Sequence, residues 1–182
     1  MFPIILAAAA LPSIMGIQLG APITLPECVR MRGAMSEHYD PGQSEECFEY
    51  YNERPGEAFV FVNMPISKTP SISGFNKYTV ALIGGTAQSL SISTLDHNRA
   101  DYIVAQLSAK FGNPTTDEPD EVVIQHIALT GRRVEWVRPG FTVQYDSINR
   151  SLEHGLVLIM TDAAAAADKA RRDESRSKAT PL

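Results

Sequence analysis

Residues 78–94 read YTVALIGGTAQSLSIST, and this stretch decides the architecture. Two β-rich runs, 78–83 and 87–94, flank Gly84-Gly85, and a glycine pair supplies the positive φ angles that a two-residue hairpin turn requires. In the second arm Leu90 and Ile92 alternate with Ser89, Ser91 and Ser93, so one face is apolar and the other wet. That alternation belongs to an antiparallel sheet with one face on a core.

Working toward the C-terminus, Ile103, Val104, Leu107 and Phe111 form one apolar stripe at helical spacing, with Thr94 or Asp96 as cap and Gly112 and Pro114 as stop. An acidic loop is expected over 115–121, then strands over 122–129, 133–137 and 141–145, the last two joined by Arg138-Pro139-Gly140. The run 155–161 (GLVLIMT) closes the sheet, and Asp162 caps an alanine-rich helix over 163–172 that frays into a polar tail. Toward the N-terminus, 65–76 is an exposed Ser/Pro/Gly-rich loop, and strands are expected over 48–51 and 59–64. Phe59 and Phe61 alternate with Val60 and Val62, so both faces of that second strand are apolar, as in a central strand. Thr24-Leu25-Pro26-Glu27 has the capping-box pattern and predicts a helix over 25–35. The sum is an α+β fold: an antiparallel sheet with helices on one side, in two helix-plus-strands halves. A single domain is expected over 21–162, preceded by a signal-peptide-like segment, 1–20, and followed by the alanine-rich helix and polar tail, 163–182.

The address comes from the ends and the cysteines. No charged side chain precedes Glu27, and residues 2–10 (FPIILAAAA) have the length of a signal-peptide core, too short for a spanning helix. Ala8, Ala9, Ala10 and Gly16 offer small residues for cleavage, although no Lys or Arg precedes the apolar run. Cys28 and Cys47 are the only cysteines, and the turn-rich loop between them makes a disulfide the natural pairing in an oxidising compartment. The expected location is therefore periplasmic or secreted, with no stable membrane insertion after processing. Net charge is −5; the segment from Ala163 carries five bases against three acids, which leaves −7 on the rest. An acidic body speaks against nucleic acid, whose phosphates need clustered Lys and Arg.

Three stretches carry a family resemblance. Gly16-Ile17-Gln18-Leu19-Gly20 resembles the opening of many small bacterial envelope proteins. Leu107-Ser108-Ala109-Lys110-Phe111-Gly112-Asn113-Pro114-Thr115, then Trp136, then residues 155–161, resemble the body of uncharacterised exported bacterial and phage-associated proteins. The pattern is similar, more loosely, to helix-plus-sheet units of the β-lactamase-inhibitor-like fold and of small outer-membrane assembly lipoproteins. The resemblance implies a fold and an address and transfers no active site.

Chemical signatures are sparse. Cys47 follows Glu45 and Glu46, which oppose thiolate formation, although His38 is near in sequence. The histidines His38, His97, His126 and His154 show no ligand spacing, so no metal is expected. No Gly-x-Ser-x-Gly occurs; Ser175-Arg176-Ser177-Lys178 fits a Ser-x-x-Lys string without a pocket, and Gly84-Gly85-Thr86 leads into a strand rather than a phosphate-cradling helix. The acidic pairs Glu45/Glu46, Asp117/Glu118 and Asp120/Glu121 read as solvated charge, and Asn149-Arg150-Ser151 matches a glycosylation acceptor. No catalytic residue and no cofactor is assigned. Strand aromatics are the remaining candidates: Tyr50, Tyr51, and a face of Trp136, Tyr145 and Phe141 framed by Arg132, Arg133 and Arg138. The expected function is non-catalytic binding of another envelope or secreted protein; the alternatives are a small-ligand carrier or enzyme with a site assembled in three dimensions, and a structural envelope component.

Overall fold

The computed structural model describes residues 11, 13–32, 37–39, 44–54, 57–95, 97–124, 127–149 and 154–178. The apolar run 2–10 lies outside these residues. Two small hairpins come first: β1 (Ser13–Ile14) with β2 (Ile17–Gln18), and β3 (Arg30–Arg32) with β4 (Glu37–Tyr39). Four strands then form an antiparallel meander: β5 (Cys47–Arg54), β6 (Glu57–Asn63), β7 (Lys77–Ile83) and β8 (Thr86–Ser93). Helix α1 (Ala100–Phe111) crosses to a second meander, β9 (Thr116–Ile124), β10 (Ile127–Arg138), β11 (Phe141–Asp146) and β12 (Leu156–Thr161), and α2 (Asp162–Lys178) follows. The two meanders fuse into one eight-stranded sheet ordered β5-β6-β7-β8-β12-β11-β10-β9.

The glycine hairpin forms at its expected place. Ile83 pairs with Thr86, and Gly84 and Gly85 take φ angles of +57° and +78°, the left-handed pair that matches strand twist. β12 does not close the sheet at an edge. It lies at the centre, where Leu156 to Met160 pair with Ser93 to Ser89 of β8. This inward placement suits an apolar run buried on both faces.

One face of the sheet is the main core. Val60, Val80, Leu90, Val134, Trp136, Val143, Tyr145 and Ile159 project from it, and α1 lays Ile103, Val104 and Leu107 across them. The expected capping of α1 is corrected: Arg99 is its N-cap without a side-chain bond, because a 3₁₀ turn, His97–Arg99, precedes it. Asp96 lies outside the described residues. Ile14, Ile17 and Leu19 of the first hairpin belong to the same core. The packed domain therefore begins by residue 13 and not at 21. Backbone bonds secure it, Gly20 N–H to Ala87 O at 2.7 Å and Ala87 N–H to Ala21 O at 2.9 Å.

The α+β class holds, but the helices take opposite faces. Side chains alternate along a strand, so Gln144 and Met160 point away from the core of Val143, Tyr145 and Ile159. Both are nonetheless buried, beneath α2, whose Arg172 donates to Gln144 Oε1 at 2.6 Å. No linker separates β12 from α2, so the helix must fold onto the face it exits. Its cap is Thr161 rather than Asp162: the Ala164 N–H donates to Thr161 Oγ1 at 3.3 Å. The helix runs on to Lys178 where a frayed tail is expected.

A helix is expected over 25–35, but the described part, residues 25–32, is not helical, so each half reads strands-then-helix; residues 33–35 lie outside the described residues. Residues 26–28 are extended beside β5: the Phe48 N–H donates to Pro26 O at 2.9 Å and the Cys28 N–H to Phe48 O at 2.8 Å. Edge pairing satisfies backbone groups that a short proline-containing helix would leave open. The Cys28–Cys47 disulfide locks this arrangement, with Cα atoms 4.9 Å apart and both residues buried. Its role is to hold the extended segment on the sheet edge. Replacing both cysteines with serine is expected to cost about 3 kcal/mol, the chain-entropy value for such a loop. Urea unfolding measures it, and a loss under about 1 kcal/mol would show that the pairing at 26–28 stands without the staple.

Candidate functional site

The aromatic face expected from sequence is not a surface. Trp136 and Tyr145 are wholly buried under α1, and Phe141 is half-buried against Phe111, ring centroids 6.1 Å apart. Their cross-strand partners explain this: Trp136 pairs with Val143 and Val134 with Tyr145, all on the core side. The Trp136 indole N–H donates to Gly112 O at 2.9 Å, and Arg138 Nε donates to Phe111 O at 2.8 Å and Nη2 to Asn113 O at 2.7 Å. These donors meet the carbonyls that the C-terminus of α1 leaves open. Gly112, at φ +79°, lets the chain turn there.

The arginines are likewise occupied, each by groups of the chain itself. Arg132 grips Asp117 with Nε and Nη2, at 2.7 and 2.6 Å, and reaches Asp101 in the first turn of α1 at 2.6 Å. The hydrogen bonds from Arg132 hold the Asp117 carboxyl below its usual range. Arg133 projects to the α2 side, between Asp146 at 2.7 Å and Asp120 at 3.1 Å. Tyr50 and Tyr51 are the aromatic candidates that do reach solvent, on β5, with Tyr51 resting on Phe61 at 4.5 Å.

Nothing among the other candidates converges on chemistry. No group of three His, Cys, Asp or Glu placed to hold a metal occurs among the described residues. His126 lies outside them, as do the side chains of His38 and His97, while His154 packs edge-on to Phe75 with centroids 5.0 Å apart. Glu46 pairs with Lys68 at 2.9 Å, and Glu49, buried on the α2 side of the sheet, pairs with Lys77. Arg150 and Ser151 lie outside the described residues, and Ser175-Arg176-Ser177-Lys178 ends α2.

A different feature does stand out. The segment 115–121 is not a loop; from Thr116 it belongs to edge strand β9, and the run 122–129 is two strands folded back on each other, Ile124 pairing with Ile127 and Val122 with Leu129. Pro119 fits because Arg132, opposite it, directs its own N–H and C=O to Ser147, at 2.8 and 2.9 Å. The missing proline donor therefore faces outward, where an edge strand has no ladder to break. β11 accompanies β10 only from Arg133 onward, so residues 120–124 and 127–131 form a two-stranded arm with no third strand beside it among the described residues. Val123 is 70% and Ile127 59% exposed on it, with Ala128 also exposed and Val122 and Leu129 half-buried. The root is rigid, held by Arg132 and Arg133, while the tip presents apolar side chains on both faces. Beside the arm, a groove of about 570 Å³ runs between α2 and the sheet, with Arg133, Glu135, Val137 and Thr142 on the sheet side and Ala166 and Lys169 on the helix side.

The chain matches no family model, no curated protein and no solved structure.

Two outcomes follow from the buried groups. Arg138→Met is expected to destabilise the fold by about 2 kcal/mol, the usual value of charged hydrogen bonds, measured by urea unfolding. Burial pushes the Tyr145 phenol up to about 12, with the Thr94 hydroxyl offsetting part of the effect. The folded chain keeps that proton where the unfolded chain releases it, so the stability it contributes is complete below a pH of about 10 and is lost as pH rises through about 12. Tyr145→Phe should flatten stability against pH in that window; an unchanged slope would mean the phenol ionises normally.

Proposed function

We propose that this chain is an exported, non-catalytic binding protein that engages another envelope or secreted protein through the β9–β10 arm and the adjoining groove. The observation that carries this reading is the arm itself. A two-stranded ribbon has little stability alone, and apolar side chains on both its faces gain only by being covered. An apolar centre of Val122, Val123, Ile127 and Leu129 beside a charged margin of Asp120, Glu121 and, from α2, Arg171 has the composition of a protein interface. The acidic, proline-bearing stretch of β9 blunts strand-to-strand addition, which favours side-chain contact with the arm over growth of the sheet.

Export is supported by the disulfide, since such bonds persist in oxidising compartments. No helix among the described residues is long and apolar enough to cross a membrane. Cleavage at Ala8 to Ala10 would leave the core hairpin intact, whereas a cut at Gly16, in the β1–β2 turn, would sever it. The expected mature N-terminus therefore falls before residue 13.

The test compares Val123→Lys/Ile127→Lys with a control, Ile66→Lys, at an exposed site in the 65–76 loop. The double variant should keep the thermal midpoint and weaken a cross-linked, purified partner about tenfold or more, as loss of hot-spot contacts does. Equal affinity in the double variant and the control would place the interface elsewhere.

A further inference from the structure

On the core side of the sheet, a cavity of about 240 Å³ opens between the β1–β2 turn, the 70–72 loop and the last turns of α1. We propose that it binds a small anionic amphiphile, a carboxylate on a short hydrocarbon chain, with the chain inside and the carboxylate at Lys110. The wall is apolar: Ile14, Met15, Ile72, Leu107, Phe111 and Ile159 line it. Its polar lining comes from Ser71 on the loop and from Gln106 and Lys110 on α1.

Three observations define the ligand class. The volume equals that of about eight liquid waters and falls just under the range of about 300–1,000 Å³ for drug-sized ligands, which suits a chain of about six to ten carbons. Apolar walls offer water no partners, so an alkyl chain that displaces it gains about fourfold in affinity per methylene buried. Lys110 sets the charge. It is exposed, it lies 5.6 Å from the centre of the Phe111 ring, and it has no carboxylate partner among the described residues. This sets it apart from Arg132, Arg133, Lys68, Lys77 and Lys169, each of which already holds an acid of the chain.

Met15 adds an independent sign. It is the one non-glycine residue at positive φ among the described residues, +55°, at a turn position that Asn, Asp or Gly would occupy without strain. Strain of this kind persists where a side chain is wanted in place. Here the side chain is a flexible thioether in the cavity wall, the kind that adapts to an irregular apolar guest.

The test is calorimetric titration of the full chain with sodium octanoate, octanol and sodium butanoate. Octanoate should bind saturably at one site, octanol at least about fivefold more weakly, and butanoate about two hundredfold more weakly, four methylenes being lost. Lys110→Gln should reduce octanoate affinity to that of octanol and leave octanol unchanged, while Lys110→Arg retains it. Ser71→Trp, at the rim and outside the core, should block both ligands with the thermal midpoint of the apoprotein preserved. Absence of saturable octanoate binding, indifference to Lys110→Gln, or indifference to Ser71→Trp would each overturn the proposal. None of these outcomes bears on the arm, which lies on the β9 side of the sheet.

Discussion

Five residue pairs between β8 and β12 carry the architecture. Each flanking meander is made of strands close in sequence, and the β8–β12 pairing joins the two into one sheet. Joined at that seam, Leu90, Ile92, Val157 and Ile159 become the middle of one continuous core. The helix α1 then finds a floor broad enough for Ile103, Val104 and Leu107, and the first hairpin finds a place for Ile14 and Ile17. Burial of this kind, at about 25 cal/mol per Å², is what offsets the entropy of ordering the chain. The small residues flanking the seam serve it too. A Cβ on Gly155 would stand 2.7 Å from both Asp146 O and Thr94 Oγ1, so only glycine lets the chain enter β12 there.

Where local chemistry and tertiary context agreed, the sequence was readable. Gly84-Gly85 dictated its hairpin, the stripe ending at Gly112 dictated α1, and the two cysteines met. Where context overruled propensity, it was not. The acids and proline of 116–121 signal a loop by composition, yet an edge strand tolerates them because one row of its backbone groups needs no partner. The arm was missed because Ile124-Gln125-His126-Ile127 contains no Gly, Pro, Asn or Asp to announce a turn. The capping pattern at Thr24 was a true local preference that lost to strand pairing and a covalent tether. As for the site, Trp136 and Tyr145 showed only that aromatics were present; which face they took depended on register with β11, a non-local fact.

The two faces of the sheet consequently divide the labour. The core side is closed by α1, with a small apolar pocket near its C-terminal turns. The other side is half-roofed by α2, whose alanines permit a close approach over Met160 and Gln144 but leave a groove toward β9. Charge follows the same division: the network of Asp101, Arg132, Asp117, Arg133, Asp120 and Asp146 is spent on holding β9 and β10 to the body. Ion pairs this near the surface contribute little to stability individually. Their value here is geometric, since they fix the angle at which the arm leaves the sheet.

The central position of β12 also imposes an order of events. Ser93 must wait for Leu156, so during synthesis β8 remains an open, adhesive edge until nearly the whole chain has emerged. Non-local pairings of this kind slow folding, because loop closure precedes the reward. The Cys28–Cys47 bond, in contrast, spans 19 positions and lies wholly in the first meander and its flank. It can close long before the seam does, guarding one edge of a half-built sheet while the other awaits its last strand.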